Sequence, residues 1–182
     1  MSFTYYNIST TDKTTLSTVE QVPPKSITLC NRDVSGDSCT VSLYILSKVG
    51  TSIVDSGTNS NETDNYTTTS SVTLTVDGTT ALASIFKGEK VWKSDGTLFG
   101  TCTSVDSGTQ LTFSGGIEQT LADNANLYIG TRYHILHKVI IPAGHTLVLE
   151  EPELNYDPTI YSLEFVLSAA GAGEAIDIKV TH

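Results

Sequence analysis

Apolar and polar residues alternate along most of this chain. Ser26-Ile27-Thr28-Leu29-Cys30 and Cys39-Thr40-Val41-Ser42-Leu43-Tyr44-Ile45-Leu46 both change character at every step, the signature of strands with one face in a core and the other in solvent. The segment 31–38 between them is dense in Asn, Asp, Gly and Ser, so the pair is expected to form an antiparallel hairpin. Pro23-Pro24 ends whatever precedes it, because proline cannot donate to a ladder. Upstream, Thr14-Thr15-Leu16-Ser17-Thr18-Val19 reads as an edge strand.

From Val49 to Ser71 apolar residues thin out and Gly, Asn, Ser and Thr take over, which predicts a linker or long loop over 49–71. Strands then resume at Ser71–Val76, Lys90–Trp92, Gly100–Val105, Thr109–Phe113 and Ala125–Ile129. Turn signals at Asp77-Gly78, Asp95-Gly96, Ser107-Gly108 and Gly115-Gly116 separate them. Short strands at this spacing predict a small SH3-like barrel over 72–130. Ala81–Phe86 is the helix candidate, a single short turn.

Beyond Gly130 the pattern of the first strands returns. A long apolar strand, Tyr133–Ile141, stops at Pro142-Ala143-Gly144, and Thr146–Leu149 follows. Tyr161–Leu167 and Ala175–Val180 flank a Gly- and Ala-rich turn, with Ile176, Ile178 and Val180 facing inward and Asp177 and Lys179 outward. The expected fold is therefore all-β: an antiparallel, jelly-roll-like β-sandwich built from 1–48 and 131–182, carrying the 72–130 barrel as an insertion.

Composition agrees. Thr supplies 28 of the 182 residues and Ser 20, an excess that suits pleated, half-buried strands. With 16% charged residues and 38% apolar ones, a coiled coil, a helical bundle and a charge-rich disordered tail are excluded. The net charge of -10 disfavours direct contact with nucleic acid. No apolar run approaches the roughly twenty residues that span a bilayer. Met1–Tyr6 lacks the features of a secretory signal, so a soluble protein with no membrane association is expected. Of three cysteines, Cys30 and Cys39 could face each other across the expected hairpin. The ordinary state for all, with Cys102, is a buried free thiol.

Catalytic chemistry is sparse. His134 and His137 have opposite parity in a strand, which would point them to opposite faces; His145 lies in a turn and His182 ends the chain. No serine sits in a Gly-x-Ser-x-Gly elbow, and no glycine-rich loop opens onto a helix. The polar run from Asp55 to Asn65 offers oxygen ligands without the spacing of a calcium loop. Glu150, Glu151, Glu153 and Asp157 read as a charged loop before they read as a glycosidase pair. Sequons at Asn7, Asn61 and Asn65 have meaning only in a secreted eukaryotic protein. No catalytic residue, metal ligand or cofactor is assigned, and the protein is expected not to be an enzyme. Aromatic residues leave an opening for carbohydrate stacking, for which Trp92 and Tyr156 are the candidate binding residues.

Tyr133-His134-Ile135-Leu136-His137-Lys138-Val139-Ile140-Ile141-Pro142-Ala143-Gly144-His145-Thr146-Leu147-Val148-Leu149-Glu150 resembles a recurring module of tailed-bacteriophage structural proteins, especially those of marine, cyanophage-like viruses. The resemblance extends to Ser26–Asn31 with Val41–Ile45, and the stretch Gly88–Trp92 with Gly96–Thr101 is similar to small barrels inserted in such proteins. It implies a virion structural protein assembled in the host cytoplasm, most simply a capsid decoration or cement protein on the head exterior. A neck, tail or fibre component and a module contacting host glycans are the alternatives. The implied partners are the major capsid protein or tail and neck proteins, with a homo-oligomer, preferably a trimer, expected from particle symmetry.

Overall fold

A computed structural model of the chain describes residues 2–18, 20–33, 35–55, 72–75, 85–107, 110–114, 126–169 and 175–182. These residues form strands and no helix. In chain order the strands are β1 (Phe3–Ile8), β2 (Thr14–Ser17), β3 (Ser26–Asn31), β4 (Cys39–Asp55), β5 (Val72–Thr75) and β6 (Lys90–Lys93). There follow β7 (Leu98–Ser107), β8 (Gln110–Ser114), β9 (Leu127–Ile141), β10 (Thr146–Glu150), β11 (Tyr161–Ala169) and β12 (Ile176–Thr181). The fold is an all-β antiparallel sandwich, and the chain divides into two compact units, Met1–Lys48 with Arg132–His182, and Val49–Thr131.

In the first unit one sheet runs β1-β12-β3-β10, and the other runs β2-β11-β4-β9. The alternation seen in the sequence fills the space between them. Ile27 and Leu29 of β3, Ile176, Ile178 and Val180 of β12, Val41 and Leu43 of β4, and Leu163, Phe165 and Leu167 of β11 form one buried cluster. Fully burying each such side chain stabilises the fold by about 1.5–3 kcal/mol. Leu16 of the edge strand β2 joins them, as do Leu154 and Tyr156 from the loop after β10.

The expected hairpin between β3 and β4 does not form. β3 lies between β12 and β10 in one sheet, while β4 pairs with β11 in the other. The connections β9–β10 and β11–β12 change sheets in the same way. Alternation marks which residues share a face, and it is blind to which layer the strand joins. The 32–38 segment is long enough to cross the roughly 10 Å between packed sheets. Asn31 anchors the crossing at the end of β3: its buried Nδ2 donates to the carbonyls of Asp37 and Ile141, both at 2.9 Å, and its Oδ1 accepts from the Asp33 amide at 2.9 Å.

In the second unit, β6 pairs with β7, β7 with β8, and β8 with β5, all antiparallel. Leu127 and Tyr128 of β9 pair with Lys93 and Trp92 of β6. Its core gathers Leu74, Val91, Phe99, Leu111, Phe113, Leu127 and Ile129, with Phe99 and Phe113 edge to face at 5.1 Å. The expected linker begins later than Val49: residues 49–55 continue β4. The β-branched residues Thr51, Ile53 and Val54 favour that extension over a loop. The rest of the linker, 56–71, and most of the helix candidate, 81–84, lie outside the described residues; Ile85 and Phe86 are in no helix.

Candidate interaction surface

Register fixes what the β1-β12-β3-β10 sheet turns away from its core. Tyr6 pairs with Ile178, and Ile178 with Leu29, so these side chains face inward. The neighbouring positions therefore face outward in rows that cross the sheet. One row is Tyr5, Lys179, Thr28 and Val148; the next is Asn7, Asp177, Cys30 and Thr146. Phe3 shares this face, with the Lys179 ammonium 4.4 Å from its ring centroid. Tyr5 is 69% exposed, between Phe3 and Asn7 along the edge strand and opposite Lys179.

The polar groups between these aromatics are already organised. Asn7 Nδ2 donates to Asp177 Oδ1 at 2.7 Å, and the Arg32 guanidinium reaches Asp177 Oδ2 at 3.3 Å. A shallow groove of about 390 Å³ runs over Tyr5, Asn7, Thr28, Cys30, Asp177 and Lys179. Cys30 is half-buried, whereas Cys39 and Cys102 are buried; all three are free thiols. Burial pushes the Cys102 thiol up to about 11, so it is an inert core residue.

On the β2-β11-β4-β9 sheet a second polar row runs across the strands. Glu164 of β11 pairs with Tyr44 of β4 on one side and Thr15 of β2 on the other. Its carboxylate accepts from Thr15 Oγ1 at 2.8 Å and Ser162 Oγ at 2.6 Å and lies 3.8 Å from the Lys13 ammonium, with both charged side chains nearly buried. The Tyr44 ring meets His134 at 5.4 Å, beneath the Arg132 guanidinium at 5.3 Å. His134 in turn meets His137 edge to face at 4.5 Å. The parity expectation for the two histidines is thus overturned. β9 does not alternate here: exposed and half-buried residues come in pairs from Tyr133 to Lys138, and Lys138 has a positive φ of 51°. Burial, the neighbouring His137 and Arg132 together hold His134 below the ordinary imidazole value.

The residues singled out for carbohydrate stacking lie in different units. Trp92 is 7% exposed in β6, and Tyr156 is 9% exposed in the sandwich core, where burial raises its phenol above the usual value. At these exposures neither presents a ring face to solvent for stacking. In the acidic loop the Asp157 carboxylate caps its own turn, accepting from the Thr159 amide at 2.9 Å and hydroxyl at 2.7 Å, which lowers its pKa. Glu150, Glu151 and Glu153 are exposed beside Val148. Among the described residues no group of three His, Cys, Asp or Glu side chains converges as metal ligands would. The calcium-loop candidate and the sequons at Asn61 and Asn65 lie outside the described residues, apart from the backbone of Asp55. The Phe3, Tyr5 and Asn7 set was missed, although Phe3-Thr4-Tyr5-Tyr6-Asn7-Ile8 carries the aromatic enrichment of a strand.

Searches against protein families, curated proteins and solved structures find no match to this chain.

Proposed function

We propose that this chain is a non-enzymatic structural component of a tailed-phage particle, in the first place a decoration or cement protein on the outside of the head. The observation that carries the reading is the strand order of the first unit, β1-β12-β3-β10 packed on β2-β11-β4-β9. Successive strands change sheets except at β4 and β9, an order we read as the two Greek keys of a jelly roll, an architecture used in viral capsid domains and in lectins. Fold alone does not assign function, so the surface must supply the rest.

A contact patch supports adhesion. Tyr133, 53% exposed, meets Tyr161 edge to face at 5.8 Å, and Ile160, 47% exposed, adjoins it. The loop bearing exposed Val22 is tied to the same region by the Glu20 amide on the Pro158 carbonyl at 2.6 Å. The Glu20–Lys48 ion pair at 3.9 Å rims the patch. An apolar centre with a charged rim is how a protein contact surface is built. The partner in this reading is the major capsid protein, with a homotrimer on the particle's threefold sites. The acidic surface limits adhesion to packaged nucleic acid. A neck, tail or fibre position is the second reading, and a small SH3-like barrel in 72–130 belongs to either.

Quantitative mass spectrometry of the purified parent particle tests this. A copy number commensurate with the capsid protein supports head decoration, and a few copies per particle would move the protein to the neck or tail. Its absence from the particle would overturn the structural reading. Tyr133→Ser with Ile160→Asp should abolish incorporation while leaving the circular-dichroism spectrum unchanged.

A further inference from the structure

We propose that the outer face of the β1-β12-β3-β10 sheet binds a neutral sugar ring, stacked on Tyr5 and held at its hydroxyls by Asn7, Asp177 and Lys179. The inference goes beyond the virion reading and does not depend on it, since it concerns a face on the opposite sheet from the Tyr133 patch.

A pyranose has an apolar C–H face and a rim of hydroxyls, each both donor and acceptor. The groove offers matching chemistry in the same order. Tyr5 supplies an exposed ring at the strand position before Tyr6, whose own side chain faces the core. Beside it lie the Lys179 ammonium as donor, the Asp177 carboxylate as acceptor, and the Asn7 amide, which donates to Asp177 and keeps its own oxygen available to accept. The Asn7–Asp177 and Arg32–Asp177 contacts hold these groups in place before any ligand arrives, which lowers the ordering cost of binding. At about 390 Å³ the groove lies at the small end of ligand sites, room for one or two rings and not a long polymer.

Charge argues for a neutral ligand. Asp177 is offset by Arg32, and the Lys179 ammonium, spread over the Phe3 ring, leaves the groove a single net positive charge within a strongly acidic chain. The chain around it has a net charge of -10, which repels nucleotides and sulfated or uronic-acid glycans.

Cys30 provides the readout, because it lines the groove while the other two cysteines are buried. The full-length protein is treated with a thiol-reactive disulfide, and Cys30 modification is timed with and without glucose, galactose, mannose, N-acetylglucosamine and their disaccharides. Cys30→Ser identifies the fast phase. A bound sugar at ten times its dissociation constant should slow that phase by about tenfold. Tyr5→Ala and Asn7→Ala should each remove the protection, measured against that variant's own sugar-free Cys30 rate, and Tyr5→Phe should retain it. Tyr5 and Asn7 are exposed, and the unfolding midpoint of each variant verifies its folding. Protection by none of these sugars, by glucuronate alone, or equally in Tyr5→Ala would overturn the proposal. A Cys30 rate that falls as protein concentration rises, with no effect of sugar, would overturn it in favour of a second copy on this face.

Discussion

The imidazoles of His134 and His137 meet edge to face, with ring centroids 4.5 Å apart, at the exposed end of a polar row that begins at the buried carboxylate of Glu164. Strand parity alone would keep them on opposite faces. The irregularity of β9 brings them together, so the two imidazoles share one place.

Acid sensitivity follows. The folded state holds His134 below its ordinary value of 6.5, through burial first and then through His137 and Arg132. The unfolded chain therefore binds more protons than the folded one, and stability falls as pH drops from above 6.5 toward the lowered folded value. Thermal melts across that window should show a declining midpoint in the wild type and a shallower decline in His134→Gln. In His137→Gln, the NMR titration of His134 should move upward. An unchanged His134 titration would mean that burial and Arg132 depress it without His137.

Asn31 should be among the least replaceable polar residues. It is fully buried and serves two carbonyls and one amide from two chain segments, the 32–38 crossing and the end of β9. Asn31→Ala leaves those backbone groups unsatisfied at a cost of about 2–4 kcal/mol. Asn31→Asp should be no better, since a carboxylate cannot donate to the Asp37 and Ile141 carbonyls. Urea denaturation of both variants decides the matter.

Two ion pairs should behave differently. Lys13 and Glu164 have side chains 8% and 3% exposed, so Lys13→Met strands a buried carboxylate and should cost about 3–5 kcal/mol. Arg32 and Asp177 are 57% and 40% exposed, and Arg32→Ala should cost under about 1 kcal/mol. Added salt should weaken only the second. Equal losses in the two variants would show that Glu164 is solvated in solution.

Thiol reactivity should be graded. At about pH 8 one thiol per folded chain, that of Cys30, should react readily. Cys102, with its pKa pushed up to about 11, and buried Cys39 should react only on unfolding in urea. Two fast thiols under native conditions would contradict the packing described for the cores.

Much of the strand pattern was readable from residue order. The alternation in β3, β4, β11 and β12 marks which side chains enter the core, and Thr14–Ser17 is the edge strand its Thr-rich sequence suggests. Layer assignment was not readable, because Ile27 and Leu29 would alternate identically beside β4 or beside β12. Nor could residue type alone decide whether an aromatic is core or surface: Tyr156 in a loop is covered while Tyr5 in a strand is bare. The candidate site was hidden for that reason. Its residues come from both ends of the chain, and only the pairing of β1 with β12 sets Asn7 against Asp177.

The Ser42 hydroxyl accepts from the Lys138 amide at 3.1 Å, and β4 and β9 are neighbours in an antiparallel sheet. Counting six residues forward from Ser42 and six back from Lys138 arrives at Lys48 and Arg132, the two points where the chain leaves the first unit and returns. The 83 residues of Val49–Thr131 thus hang from what would otherwise be a tight reversal between adjacent strands. Both ends of the segment are held on neighbouring strands, β4 and β9, and the pairings of the other six strands use no residue of it.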